Sequence, residues 1–470
     1  MMLVALILRR NLPNKYRVCG LMIAILNSIK ILASIVLAGI FVGGLIPNSF
    51  AQELPDKLQG HGGPIKAISI SNDGEHVLTA SFDYSIIYWR ISEEEAELVY
   101  RLDGHDAAVN DVVFVPERER AISVSDDGSL GIWDLKQGQL IKRIDAPVHK
   151  VLDVALSLDG KLAAVARWDK TARIYDLESQ TEVAVFEGHR GNVNSVVFSQ
   201  DGTKLYSAAH DGQIIEWDIA SQQMLRPIYR HGWGINSIVR LDDDRILFGS
   251  LDGTVAIVSI KKAQLITQLA KRERPVQTVK LSSDGALVAY GDGAGWIEVF
   301  AASSGKKIEG NEVTFGPVWD FDFVSGTNQI YHVGLDDFAS RWQIAPQKLQ
   351  QNRAEFPRRF QIRNTNDLGE LEFRRKCSVC HTLTPDGKNR AGPTLYDLFG
   401  RKAGTLPGYN YSKSLVEADV VWNAKTIAQL FDDGPDVMLP GTKMPIQRLK
   451  KIERRDELIR FLKEVTKPVE

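Results

Sequence analysis

The chain has three cysteines, and two of them, Cys377 and Cys380, stand three apart with His381 directly behind. The chemistry that uses two thiols and an imidazole at this spacing is narrow. Each thiol can add through sulfur to one vinyl group of a porphyrin, and the following histidine then falls beneath the iron. The pattern reads as the attachment site of one c-type haem. A structural zinc ion asks for two further cysteines or histidines, and none follows His381. A thioredoxin-like pair asks for a βαβ surround, which the neighbouring text lacks. Cys19 lies in the basic and apolar start of the chain and is read as incidental.

An iron held by one histidine needs a sixth ligand, and a soft thioether favours the reduced metal. Two methionines follow His381, Met438 and Met444. Their text, PDVMLPGTKMP, resembles the axial-ligand loop of class I cytochromes c of mitochondrial type, and the resemblance extends over 366–467. It implies Met444 as the iron ligand opposite His381, with Met438 a packing residue of the same loop. It implies one haem c held covalently through Cys377 and Cys380, and a turn at Gly392-Pro393 whose Pro393 carbonyl accepts the His381 N–H. Arg401, Tyr411 and Trp422 match positions that bind or shield the haem propionates. Gly369 and Phe373 match the first helix, where glycine lets the last helix come close. That last helix reads RDELIRFLKEV, with Leu458, Phe461 and Leu462 as its apolar face. One position departs: Leu430 stands where many relatives carry a tyrosine bonded toward the axial methionine.

What precedes this site is a repeat. An apolar residue opening a strand recurs at Ile65, Val109, Val151, Val193, Ile235, Val276 and Val318, at intervals of 41 to 44 residues. A residue closing a later strand follows 23 or 24 positions on, at Trp89, Trp133, Tyr175, Trp217, Val258, Phe300 and Trp342. Each repeat reads as four short strands joined by Asp-Gly-type hairpins, the pattern of a propeller blade. With GH at Gly60-His61, Gly104-His105 and Gly188-His189, and WD at Trp133-Asp134 and Trp217-Asp218, the stretch 53–344 resembles the WD-repeat family. The resemblance implies that His61, Ser81, Asp83 and Trp89, and likewise His105, Ser125, Asp127 and Trp133, form buried hydrogen-bond chains and not repeated catalytic triads. The text ELPDKLQGH at 53–61 parallels TEVAVFEGH at 181–189, and no such strand follows Trp342. The early segment is therefore expected to supply the outer strand of the last blade, closing the ring by covering its free edges.

The expected architecture is an all-β seven-bladed propeller over 52–345, a Gln- and Arg-rich linker over 346–365, and a small all-α cytochrome c domain over 366–470. A chain of 470 residues, 44% hydrophobic and 25% charged, can bury two such cores. Its formal net charge of −2 gives no basis for a nucleic-acid partner. In 366–470 lysines and arginines outnumber acids 18 to 15, a balance that suits an acidic redox partner. Arg9, Arg10, Lys15 and Arg17 precede an apolar run over 21–46, and the small residues Ser49 and Ala51 follow. This reads as a signal peptide over 1–51 cut after Ala51, with an uncleaved inner-membrane anchor as the alternative. The expected location is the periplasm, with membrane contact only if that segment stays. With both axial positions of the iron filled, the chain reads as a carrier of single electrons and no catalytic residue is assigned. The propeller would dock redox partner proteins, a respiratory complex or periplasmic dehydrogenase among them. The alternative is a periplasmic oxidoreductase whose propeller holds a substrate site and whose haem drains the electrons.

Overall fold

Short β-prone runs with both faces apolar can be buried only by stacking on copies of themselves, and that is how this chain folds. A computed structural model describes residues 54–93, 95–116, 119–145, 149–344, 365–378, 380–385, 392–407, 409, 411–439, 442, 444 and 448–467. The expected signal segment and nearly all of the expected linker lie outside these residues. Among the described residues no helix is long and apolar enough to cross a membrane.

Seven four-stranded antiparallel sheets follow one another as blades. Blade 1 consists of Ile65–Ile70, His76–Ser81, Ser85–Ser92 and Glu95–Asp103; blades 2 to 6 begin at the repeat starts read from the sequence, and blade 7 begins two residues after the expected Val318, at Asp320. The second strand of each blade is buried almost throughout, as in His76–Ser81, whereas an outer strand such as Gln139–Asp145 is mostly exposed. Apolar cores form between blades: Leu78, Ala80 and Ile86 of blade 1 pack on Val109, Val112 and Trp133 of blade 2.

The ring closes in two ways. Lys57–Gln59 pairs antiparallel with Phe338–Gln343, so the early strand completes blade 7 as expected. The second closure runs around the axis. In the innermost strand of six blades a bulge follows the first residue, for example between Val109 and Asp111 or Val151 and Asp153. Such a bulge re-aims a side chain. Asp111 accepts from the Val154 N–H at 2.9 Å, Asp153 from Val196 at 2.8 Å, and Ser195 from Ile238 at 3.2 Å. Asp320 of blade 7 accepts from Ile68 of blade 1 at 3.0 Å, which carries the series across the seam. Burial raises Asp111 and Asp153 from the usual carboxylate range.

The buried chains exist, with a correction to their membership. His105 Nδ1 faces the Asp127 carboxylate at 3.2 Å, and its Nε2 meets Ser123 Oγ at 2.7 Å, not Ser125. Ser123 also accepts from Trp133 Nε1 at 2.8 Å. In blade 1 the same place is held by Thr79, not Ser81, with His61 Nε2 at 2.8 Å and Trp89 Nε1 at 2.9 Å. Ser81 sits two residues on, at the strand end, where its hydroxyl donates to the Pro64 carbonyl at 2.8 Å and accepts from Asp83 N–H at 3.0 Å. Both residues lie on one face of the strand, and the indole reaches only the earlier one. Ser123→Ala orphans an indole N–H and an imidazole nitrogen, so it is expected to cost about 2–3 kcal/mol in chemical denaturation. A loss below about 0.5 kcal/mol, the range of a neutral surface change, would mean the chain adds nothing net.

Candidate cofactor site

The described residues of Glu53–Glu470 belong to one compact unit. Among the described residues after the propeller are five helices: α1 (Leu368–Lys376), α2 (Lys413–Glu417), α3 (Ala424–Asp433), α4 (Pro435–Met438) and α5 (Ile452–Val465). Asp367 caps α1 by accepting from Gly369 and Glu370 N–H at 2.8 and 3.0 Å, and it pairs with Arg460 of α5 at 2.8 Å. A Cβ on Gly369 would lie 2.2 Å from the Glu457 carbonyl, so only glycine permits this approach of α1 to α5. Phe373 and Phe461 meet there with ring centroids 5.7 Å apart. Leu458 and Leu462 are buried as expected, Phe461 is half-buried, and Ile459, which the sequence reading did not name, is buried beside them.

Helix α1 ends on Cys377, whose N–H donates to the Phe373 carbonyl at 2.8 Å. The chain then turns back on itself: Cys380 and His381 N–H both donate to the Cys377 carbonyl, at 3.0 and 2.8 Å. This turn brings both thiols and the imidazole to one cavity, which holds about 1100 Å³ of empty space including the part open to solvent. His381 Nδ1 donates to the Pro393 carbonyl at 2.7 Å, which fixes the ring and its tautomer and assigns the ligand role to Nε2. A Cβ on Gly392 would lie 2.4 Å from the His381 ring, so the glycine is what lets the two segments meet.

The remaining expected residues gather at the same cavity: Met444, Arg401, Tyr411 and Trp422 all line it, as does Leu430. Met438 ends α4 and is not among the lining residues. Arg401 reaches the Tyr396 and Thr394 carbonyls at 2.9 and 2.8 Å, and its backbone carbonyl accepts from Trp422 N–H at 2.9 Å. Its guanidinium thus fastens the loop after His381 as well as lining the cavity. Burial pulls Arg401 below its ordinary pKa and pushes Tyr411 above its own. Both cysteines are free of disulfide, and burial pushes the Cys377 thiol up to about 12. A thiol so protonated at neutral pH is poorly suited to thiolate redox exchange. Among the lining residues that escaped the sequence reading are Tyr409, whose ring stands edge-on to Tyr411 at 4.7 Å, and Tyr84 of blade 1. The signal for Tyr84 was present, since SFDYS aligns with SDDGS of blade 2 and puts tyrosine where glycine is usual.

The WD domain, G-beta repeat family matches residues 52–90, 96–134, 138–176 and 180–218. Cytochrome c of Gibberella zeae is 40% identical over 95 residues, 20% of this chain and 89% of that protein. Cytochrome c of Sesamum indicum is 42% identical over 98 residues, 21% of this chain and 87% of that protein. The chain belongs to the cytochrome c family. Its cytochrome c part is fused to WD repeats that make a seven-bladed propeller. The cavity fits the haem that cytochromes c carry: a leucine-rich wall with Ile427, Phe431 and Trp422, two thiols not joined in a disulfide, and a histidine with one nitrogen already engaged.

Proposed function

We propose that the chain is a periplasmic carrier of single electrons with one haem c, and that its propeller docks the redox partners. Cys377 and Cys380 would hold the haem by thioethers, His381 and Met444 would bind the iron, and Arg401, Tyr411 and Trp422 would bind or shield the propionates. When bound, the haem supplies an iron that gains one electron from a donor and loses it to an acceptor. The protein's own residues do the rest. Pro393 fixes the His381 ring, Gly369 lets α5 brace α1, and the apolar wall keeps water from the iron. The carrying observation is that His381, oriented by the Pro393 carbonyl, lines the same cavity as Met444 and both thiols. The basic and apolar start of the chain supports export, and covalent haem attachment outside the cytoplasm agrees with it.

Full-length protein made with the cytochrome c maturation apparatus is expected to hold one haem that survives acid–acetone extraction. It should take up one electron reversibly in a potentiometric titration. Haem lost on extraction, or haem reduction driven by an organic substrate with turnover, overturns the carrier reading.

A further inference from the structure

Tyr84 stands where four of its sister blades have glycine. It is the last residue of the tight turn between the second and third strands of blade 1, with φ of 71°. The matching residue is glycine in blades 2, 4, 5 and 6, namely Gly128, Gly212, Gly253 and Gly295, at φ between 75° and 98°, and Lys170 in blade 3. A left-handed backbone costs a bulky L-residue roughly 1–2 kcal/mol. The turn itself does not need the ring. Tyr84 N–H donates to the Ser81 carbonyl at 3.2 Å, as Gly128 N–H does to Ser125 at 3.1 Å, and Ser85 N–H reaches Asp83 as Ser129 N–H reaches Asp127. An observed strain without a local reason points to a use elsewhere.

That use is visible at the cofactor cavity, where Tyr84 lines the wall with Cys380 and Tyr409. Burial raises the Tyr84 hydroxyl above its ordinary range, and Tyr409 and Cys380 add to the effect. Tyr409 in turn is raised by burial, then by Tyr411, Cys380 and Asp83. Two loops distant in sequence therefore face each other over Cys380. The blade side is rigid: the Asp83 carboxylate is held by His61 at 3.1 Å, by Gly62 N–H at 2.7 Å and by Arg101 at 2.8 Å.

We propose that Tyr84 is a shielding residue of the haem site, supplied by the propeller, which closes the haem cavity on its Cys380 side against water and small redox agents. The inference rests on the carrier reading above. It gives the propeller a second task beyond docking, because burial and dielectric are among the levers that set a haem potential. Removing the ring admits water, which favours the more charged ferric site and lowers the potential.

The test uses full-length holoprotein with Tyr84→Gly, which restores the residue of the sister blades and relieves the backbone. Tyr84→Asn, which tolerates the same φ, serves in its place should the glycine variant fold poorly. Lys170→Gly makes the same backbone change in a turn remote from the cavity and is the control. The expected result is a rise on the order of tenfold in the rate of haem oxidation by ferricyanide, with the oxidised-to-reduced ratio at fixed poise shifted on the order of tenfold, 59 mV for a one-electron couple. Lys170→Gly should leave both unchanged. A haem-bearing Tyr84 variant that matches Lys170→Gly in rate and potential overturns this inference and spares the carrier reading. A chain that takes up no covalent haem overturns both.

Discussion

Met444→Ala is expected to open the sixth position of the haem iron and to drop the reduction potential by a large part of the ~0.8 V that axial ligands command. The thioether stabilises ferrous iron because it is soft and neutral; water or hydroxide in its place favours the ferric state. The variant should also bind added cyanide or carbon monoxide, which the parent protein should resist. Met444 lines the cavity that His381 lines, and it packs on the core of Phe373, Ile427, Phe431 and Leu462. Haem retention should survive, since the proposed thioethers to Cys377 and Cys380 do not depend on the sixth ligand. Met438→Ala is the paired measurement. Met438 ends α4, so its loss should leave spectrum and potential near those of the parent. If Met438→Ala shifts the potential and Met444→Ala does not, the ligand assignment is wrong.

How much of this was legible in the sequence follows from how local each signal is. The blades were legible because strand starts, hairpin turns and closing aromatics lie within one repeat, and the repeat recurs at 41 to 44 residues. The closing strand was legible because its GH turn repeats the register of other blades, and Leu58 pairs with Ala339 as that register requires. The convergence of Cys377, Cys380 and His381 on one cavity was legible because both thiols and the histidine sit within one turn. What failed was the choice between residues on one strand face. Ser123 and Ser125 share a face, and only the reach of the Trp133 indole selects the first. Tyr84 failed for another reason. Its partners at the cavity, Cys380 and Tyr409, lie some three hundred residues away along the chain, and no periodicity links them.

Both parts of the chain use the same device for holding a functional group: a buried polar contact fixes a turn, and the turn presents a side chain. In the cytochrome part, the Pro393 carbonyl fixes His381. In the propeller, His61 and Arg101 fix Asp83, and Asp83 sets the turn that carries Tyr84. Each contact is local and each side chain it places is used at a distance.

Leu58→Asp should separate the two parts. Leu58 is the inward residue of Lys57–Gln59, fully buried among Leu54, Ile65, Trp89, Tyr331 and Ala339 at the seam of blades 7 and 1. An unpaired carboxylate there has no partner to replace water, so the change is expected to cost at least about 4 kcal/mol of propeller stability. Gln59→Asp on the same strand is exposed and should cost within about 0.5 kcal/mol. Thermal melts followed by far-ultraviolet circular dichroism should show the propeller transition falling in Leu58→Asp alone. The haem absorption should persist through that transition, because the core of the cytochrome part, from Phe373 to Leu462, contains no propeller residue. Once the propeller has melted, Tyr84 is withdrawn from the cavity and ferricyanide should oxidise the still six-coordinate haem faster, as in Tyr84→Gly. Simultaneous loss of both signals would mean that the cytochrome part depends on the propeller for its fold. A melt unchanged by Leu58→Asp would mean that the axial series from Asp111 to Asp320 closes the ring without the early strand.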